Sequence, residues 1–165
     1  MNALKRFCII GAVVTIVLGV LSHFVYDWTG QNFLVGLFFP VNESTWEHMK
    51  LVYFPMLLVT LVAGKLLEEQ YPCIYDEMFL GTFAGLFMIP VLFYTYSGIL
   101  GFNVDWMNIA IYVISILVAY LVVYLAASDC KERNSKLMRY IYYAFLLAFM
   151  VFTVYPQGIG LFMEP

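Results

Sequence analysis

Five apolar stretches, residues 7–26, 46–67, 78–100, 107–127 and 137–155, occupy most of this 165-residue chain. Each approaches or exceeds the roughly 20 residues a helix needs to cross a hydrocarbon core about 30 Å thick. Inside a bilayer every backbone N–H and C=O must be paired internally, so such runs fold as helices. The expected fold is an all-α integral membrane protein with five transmembrane helices, forming one transmembrane helical domain over residues 1–165. Composition agrees, with 64% hydrophobic and only 12% charged residues, where a soluble domain carries about a quarter charged. That scarcity of charge excludes a soluble enzyme and a disordered chain. A net charge of −3 excludes a nucleic-acid binder, which needs a basic patch. The lipid bilayer is the first partner of such a chain.

A sixth apolar run, residues 33–39, is too short to span and ends at Pro40. It is expected to lie in the interface or to re-enter the membrane between helices one and two. Lys5 and Arg6 would suit a signal peptide, but no small-x-small cleavage pattern follows them. The first span is therefore expected to be retained.

Lysine and arginine set orientation. With the N-terminus cytoplasmic, Lys5, Arg6, Lys65, Lys131, Arg133, Lys136 and Arg139 all fall on the cytoplasmic side. Only Lys50 falls outside, where it is expected to snorkel outward from the start of helix two. The C-terminus is then extracytoplasmic, and the expected location is the cytoplasmic (plasma) membrane. Cys8, Cys73 and Cys130 all sit near cytoplasmic ends of spans, so they are expected to stay reduced.

Gly81 and Gly85 form a GxxxG pair in the third span. Such a pair lets two helix backbones approach closely, either within the bundle or in a homo-oligomer or a complex with a membrane partner. Pro90, in the same span, removes a backbone hydrogen bond and is expected to kink it.

Polar residues collect at the opposite, extracytoplasmic end. His23 precedes Asp27 by four residues, so the two share a helix face. Asn42, Glu43, Glu47 and His48 open the second span, Tyr94 lies near the end of the third, and Asp105 begins the fourth. This set forms the candidate ligand site. Imidazoles and carboxylates together can hold a divalent metal that acidifies a bound water. The candidate metal ligands are His23, Asp27 and His48, with Glu43 or Glu47 as base. They can also pass protons. A purely structural role competes at some positions: Ser44-x-x-Glu47 ahead of an apolar run is a capping box, and Asp105 can cap helix four. The middles of the spans hold no Asp, Glu, Lys, Arg or His; Thr15, Thr60, Thr82 and Ser115 are their main polar groups. Ion-coupled transporters place ionisable groups near the midplane, so autonomous active transport is disfavoured.

The run Pro40-Val-Asn-Glu-Ser-x-Trp-Glu-His-x-Lys50, after His23-x-x-Tyr-Asp-Trp28, resembles an uncharacterised family of small multi-spanning bacterial membrane proteins. The likeness covers essentially the whole chain and is most specific over residues 23–50. It implies a bacterial cytoplasmic membrane and no assigned activity. The content of His and Asp also invites comparison with ceramidase-like membrane hydrolases. Those use three metal-binding histidines including an HxxxH pair, whereas this chain has two histidines and no such pair.

Three readings follow. In the first, the cluster binds a small ligand or ion in an outward-facing pocket roofed by residues 33–39, as in a transport-accessory protein. In the second, a divalent metal there serves a membrane-embedded hydrolase acting on a lipid-like substrate. In the third, the cluster is capping and salt bridging in a structural or partner-binding subunit.

Overall fold

The computed structural model describes residues 2–129 and 135–165; Cys130, Lys131 and Arg133 of the sequence argument lie outside the described residues. Long helices α1 (Ala3–Trp28), α3 (Thr45–Leu67), α4 (Ile74–Leu100), α5 (Asp105–Ser128) and α6 (Ser135–Val154) are joined by short connections. The one-turn helix α2 (Phe33–Gly36) lies between α1 and α3, and a 3-10 turn, Gly160–Phe162, follows α6. Five helices are thus long and apolar enough to cross a membrane, and the chain is a multi-pass helical protein. At about 1.5 Å per residue, even the 20-residue α6 matches the core of a bilayer. Large apolar side chains such as Ile10, Val13, Leu58, Leu61, Leu117 and Leu125 are exposed along the outside, as suits helices that face a bilayer.

Helix α3 is the most buried of the five and packs against α1, α4 and α6, while α5 closes against α1 and α4. Small residues set the closest approaches. A methyl added at Gly81 would stand 2.6 Å from the Ala119 carbonyl oxygen, and one at Gly85 would stand 3.0 Å from that of Ser115. The GxxxG pair therefore packs into the α4–α5 seam within the bundle. On α1, a methyl at Gly19 would meet the Leu51 carbonyl oxygen at 2.5 Å. Pro55 lies four residues after Leu51 and has no N–H to bond that carbonyl. Helix α4 runs unbroken through Pro90.

Aromatic side chains fill the core. Tyr53 and Tyr142 stack at 4.7 Å, and the Tyr53 hydroxyl donates to the Tyr142 carbonyl at 2.7 Å. The mid-span threonines serve packing and backbone: Thr15 Oγ1 pairs with Tyr120 Oη at 2.8 Å, and Thr60 and Thr82 donate to carbonyls one turn back. Cys8 is a free, buried thiol. Cys73, however, is disulfide-bonded, a correction to the expectation of three reduced cysteines.

Lys50 also departs from expectation. It does not snorkel: its ammonium is buried and stands 2.8 Å from Glu47 Oε2. It donates to the Gly36 carbonyl at 2.8 Å and the Phe39 carbonyl at 3.4 Å. Glu47 completes the knot by accepting from Val41 N at 3.0 Å and from the Thr153 hydroxyl at 2.9 Å. A buried ion pair forms where further hydrogen bonds satisfy both groups, and here the segment 36–41 supplies them. The pair pins α2 and its return loop to α3, and it ties in α6 through Thr153.

Candidate functional site

The last turns of α1 carry His23 and Asp27 on one face, and the start of α3 carries Glu43 and His48 toward it. Local capping fixes that start. Ser44 Oγ accepts from Glu47 N at 3.3 Å, the first half of the expected capping box. The second half is taken by Asn42, whose Oδ1 accepts from Ser44 N at 3.0 Å, because the Glu47 side chain is committed to Lys50. Glu43 projects between the two imidazoles. Its carboxylate oxygens lie 3.5 Å from His23 Nε2 and 3.3 Å from His48 Nε2, and the rings are 5.6 Å apart. Both nitrogens of His48 face acceptors, since Nδ1 lies 3.0 Å from the Ser44 carbonyl. His23 Nδ1 is buried without a partner. The Glu43 side chain is 61% exposed, so this clamp is a solvated contact and contributes little to stability.

Glu43 also separates two cavities. The larger, about 490 Å³, is walled by Glu43, Thr45 and His48 of the α3 entry, by Ile89 and Phe93 of α4, and by Asn103, Asp105, Asn108, Ile111 and Tyr112 around α5. Glu164 and Pro165 reach its rim. The size is that of a small-molecule site. The smaller cavity, about 130 Å³, is lined by His23, Phe24, Tyr26, Asp27, Pro40, Val41, Asn42 and Glu43.

The sequence-derived set is thus divided. Glu43, His48 and Asp105 line the large cavity, and His23, Asp27 and Asn42 line the small one. Glu47 reaches neither, because it is buried against Lys50. Tyr94 is exposed and lines neither: at 100° per residue it is turned away from the stripe Ile89–Phe93–Tyr96. Residues 33–39 roof neither cavity, since the Lys50 ammonium holds them against α3. Nor do the candidate metal ligands assemble. Asp27 lies 3.4 Å from the Gln31 amide, Glu43 takes the place between the histidines, and among the described residues no group of three or more His, Cys, Asp or Glu is placed to hold a metal ion.

Tyr96, which stands with Tyr94 and Ser97 at the outer end of the third span, organises the mouth between α4 and α5 through Asn103 and Asn108, which the candidate set did not include. Tyr96 Oη lies 2.7 Å from Asn103 Oδ1 and 2.5 Å from Asn108 Oδ1, and it accepts from Val104 N at 3.2 Å. Asn108 Nδ2 donates to Asn103 Oδ1 at 2.8 Å. This network fixes the turn that carries Asp105. Its signal in the sequence was helical spacing, with Phe93 and Tyr96 on one side of the turn and Asp105 and Asn108 on the other.

The arrangement offers a concave site with carboxylates at its polar rim and hydrocarbon on its wall. Its lining contains Glu43, Asp105 and Glu164 but no Lys or Arg. No curated protein and no solved structure matches the chain. A family model does match, over residues 1–165, as the whole-chain resemblance to an uncharacterised family led one to expect. The chain belongs to DUF6512, a family of unknown function.

Proposed function

We propose that this protein binds a small ligand in the α3–α4–α5 cavity, as a receptor or accessory component of a membrane transport process. The N-terminus is cytoplasmic and the cavity opens on the extracytoplasmic side of the cytoplasmic membrane. Orientation rests on the placement of basic residues, given more weight than the Cys73 disulfide at the same end: Lys5, Arg6, Lys65, Lys136 and Arg139 cluster at the ends remote from the cavity, and the one described cation at the cavity end, Lys50, is buried. Helix α2, with Phe33 and Leu34 exposed, then rests in the outer interface.

The observation that carries the reading is the cavity itself: about 490 Å³, with Glu43, His48 and Asp105 facing Ile89, Phe93 and Ile111. A structural cluster would close on itself, as Glu47 and Lys50 do. The test is ligand-induced thermal stabilisation of the detergent-purified protein, wild type beside Ile111→Trp, which fills the cavity. A ligand that binds only the folded state raises its stability with concentration. Stabilisation in wild type that is lost in Ile111→Trp supports the reading. A broad panel of small solutes that stabilises neither protein, or both equally, refutes it.

A further inference from the structure

Resting on the reading of this cavity as a ligand site, we propose that its ligand class is an organic cation: an amine or quaternary ammonium head on an apolar, preferably aromatic, body. The cavity's polar rim holds three carboxylate side chains, Glu43, Asp105 and Glu164, and no Lys or Arg. Asp105 and Glu164 form no ion pair among the described residues, and Glu43 meets only the two histidines. The neighbouring ammonium, that of Lys50, is spent on Glu47 and two backbone carbonyls. The charge of Asp105 and Glu164 is therefore left for a ligand to neutralise, with Glu43 held between His23 and His48, and a cleft lined by one sign of charge with low-dielectric walls concentrates the opposite sign.

Two further features separate an organic cation from an inorganic one. The carboxylates come from three separate places, the α3 entry, the start of α5 and the C-terminal tail, and among the described residues no three ligating side chains converge on a point. A metal ion needs such convergence; a larger head with spread charge does not. The rest of the wall is hydrocarbon and aromatic, with Ile89, Ile111, Phe93 and Tyr112. Aromatic faces attract cations that have left water, and the aliphatic side chains receive the body. Tyr112 is held in place, its hydroxyl donating to the carbonyls of Thr15 and Ile16 at 3.1 Å. The Asn103 and Asn108 amides are tied to Tyr96 and to each other, so they shape the rim and leave recognition to the carboxylates.

The experiment is a calorimetric titration in detergent with 2-phenylethylamine, tryptamine and benzyltrimethylammonium. The controls are 2-phenylethanol, which keeps the body without the charge, 3-phenylpropionate, which reverses it, and Mg²⁺, Ca²⁺ and Zn²⁺ alone. Saturable binding of at least one amine, at least tenfold tighter than the alcohol and weakened at least tenfold in Asp105→Asn/Glu164→Gln, is expected. Both variant positions are exposed, so the fold survives the change, and unaltered thermal unfolding verifies it. If the alcohol or the acid binds as tightly as the amines and Ile111→Trp abolishes it, the cavity is a ligand site but the cation assignment is overturned. If a divalent metal binds stoichiometrically and the paired variant removes it, the organic assignment is overturned in favour of an inorganic ion. If none of these probes binds the folded protein, the cation assignment again falls; whether the cavity reading falls with it is decided by the broader stabilisation panel.

Discussion

Lys50 Nζ and Glu47 Oε2 stand 2.8 Å apart, both almost fully removed from solvent, at the head of the most buried helix of the bundle. This pair organises the cavity end: it fixes the return loop from α2 and, by occupying Glu47, leaves the second half of the Ser44 capping box to Asn42 and the space between the histidines to Glu43.

Breaking one partner strands a buried charge, which costs about 3–5 kcal/mol. Glu47→Ala and Lys50→Ala are each expected to lower stability in detergent by that order, read from chemical or thermal unfolding. The double variant Glu47→Gln/Lys50→Met is expected to lose less than either single change. Limited proteolysis is expected to open residues 33–41 in the single variants first. Additive single effects would contradict the coupling.

The Gly81 position tests where the GxxxG pair is used. A methyl there meets the Ala119 carbonyl oxygen at 2.6 Å, so Gly81→Ala is expected to destabilise by about 1–3 kcal/mol through overpacking. Its oligomeric state by light scattering is expected to stay as in wild type. Gly98→Ala, where a methyl meets nothing within 4 Å, is expected to be neutral or slightly stabilising, as Ala suits a helix better than Gly. A Gly81→Ala protein of normal stability and altered oligomeric state would reverse the assignment.

Tyr96 is bonded into the α4–α5 turn, whereas Tyr94 is not. Tyr96→Phe removes the hydroxyl that three groups share, with an expected loss of about 1 kcal/mol and faster amide exchange at Val104. Tyr94→Phe, on an exposed ring, is expected to stay within about 0.5 kcal/mol of wild type and to leave ligand stabilisation unchanged. Equal effects of the two would contradict the placement of the cavity.

The spans were legible because bilayer thickness alone dictates runs of about 20 apolar residues, and the five helices follow those runs closely. The side of the bundle where polar residues gather was legible too, since His23, Glu43, His48 and Asp105 stand at helix ends that an up-and-down order brings together. Which of them share a cavity was not. Glu43 and Glu47 lie one turn apart and look interchangeable in sequence. Only the three-dimensional position of Lys50 decides that one is buried and the other free. Tyr94 and Tyr96 differ by about 200° around α4, and their distance from the chain end does not reveal which faces α5. The reach of Glu164 into the rim is a long-range contact that no local pattern encodes.

The most direct test of the account is the accessibility of position 111 in intact cells. Ile111 lines the cavity, whereas Ile109, two residues earlier on α5, is exposed on the outside of the bundle. Ile111→Cys is expected to react with a membrane-impermeant, cationic methanethiosulfonate added outside, and more slowly with the anionic analogue. Ile109→Cys is expected to stay inert in lipid. An Ile111→Cys protein that is folded but as unreactive as Ile109→Cys would contradict a water-filled cavity, and one that reacts only after the cells are opened would contradict its outward orientation.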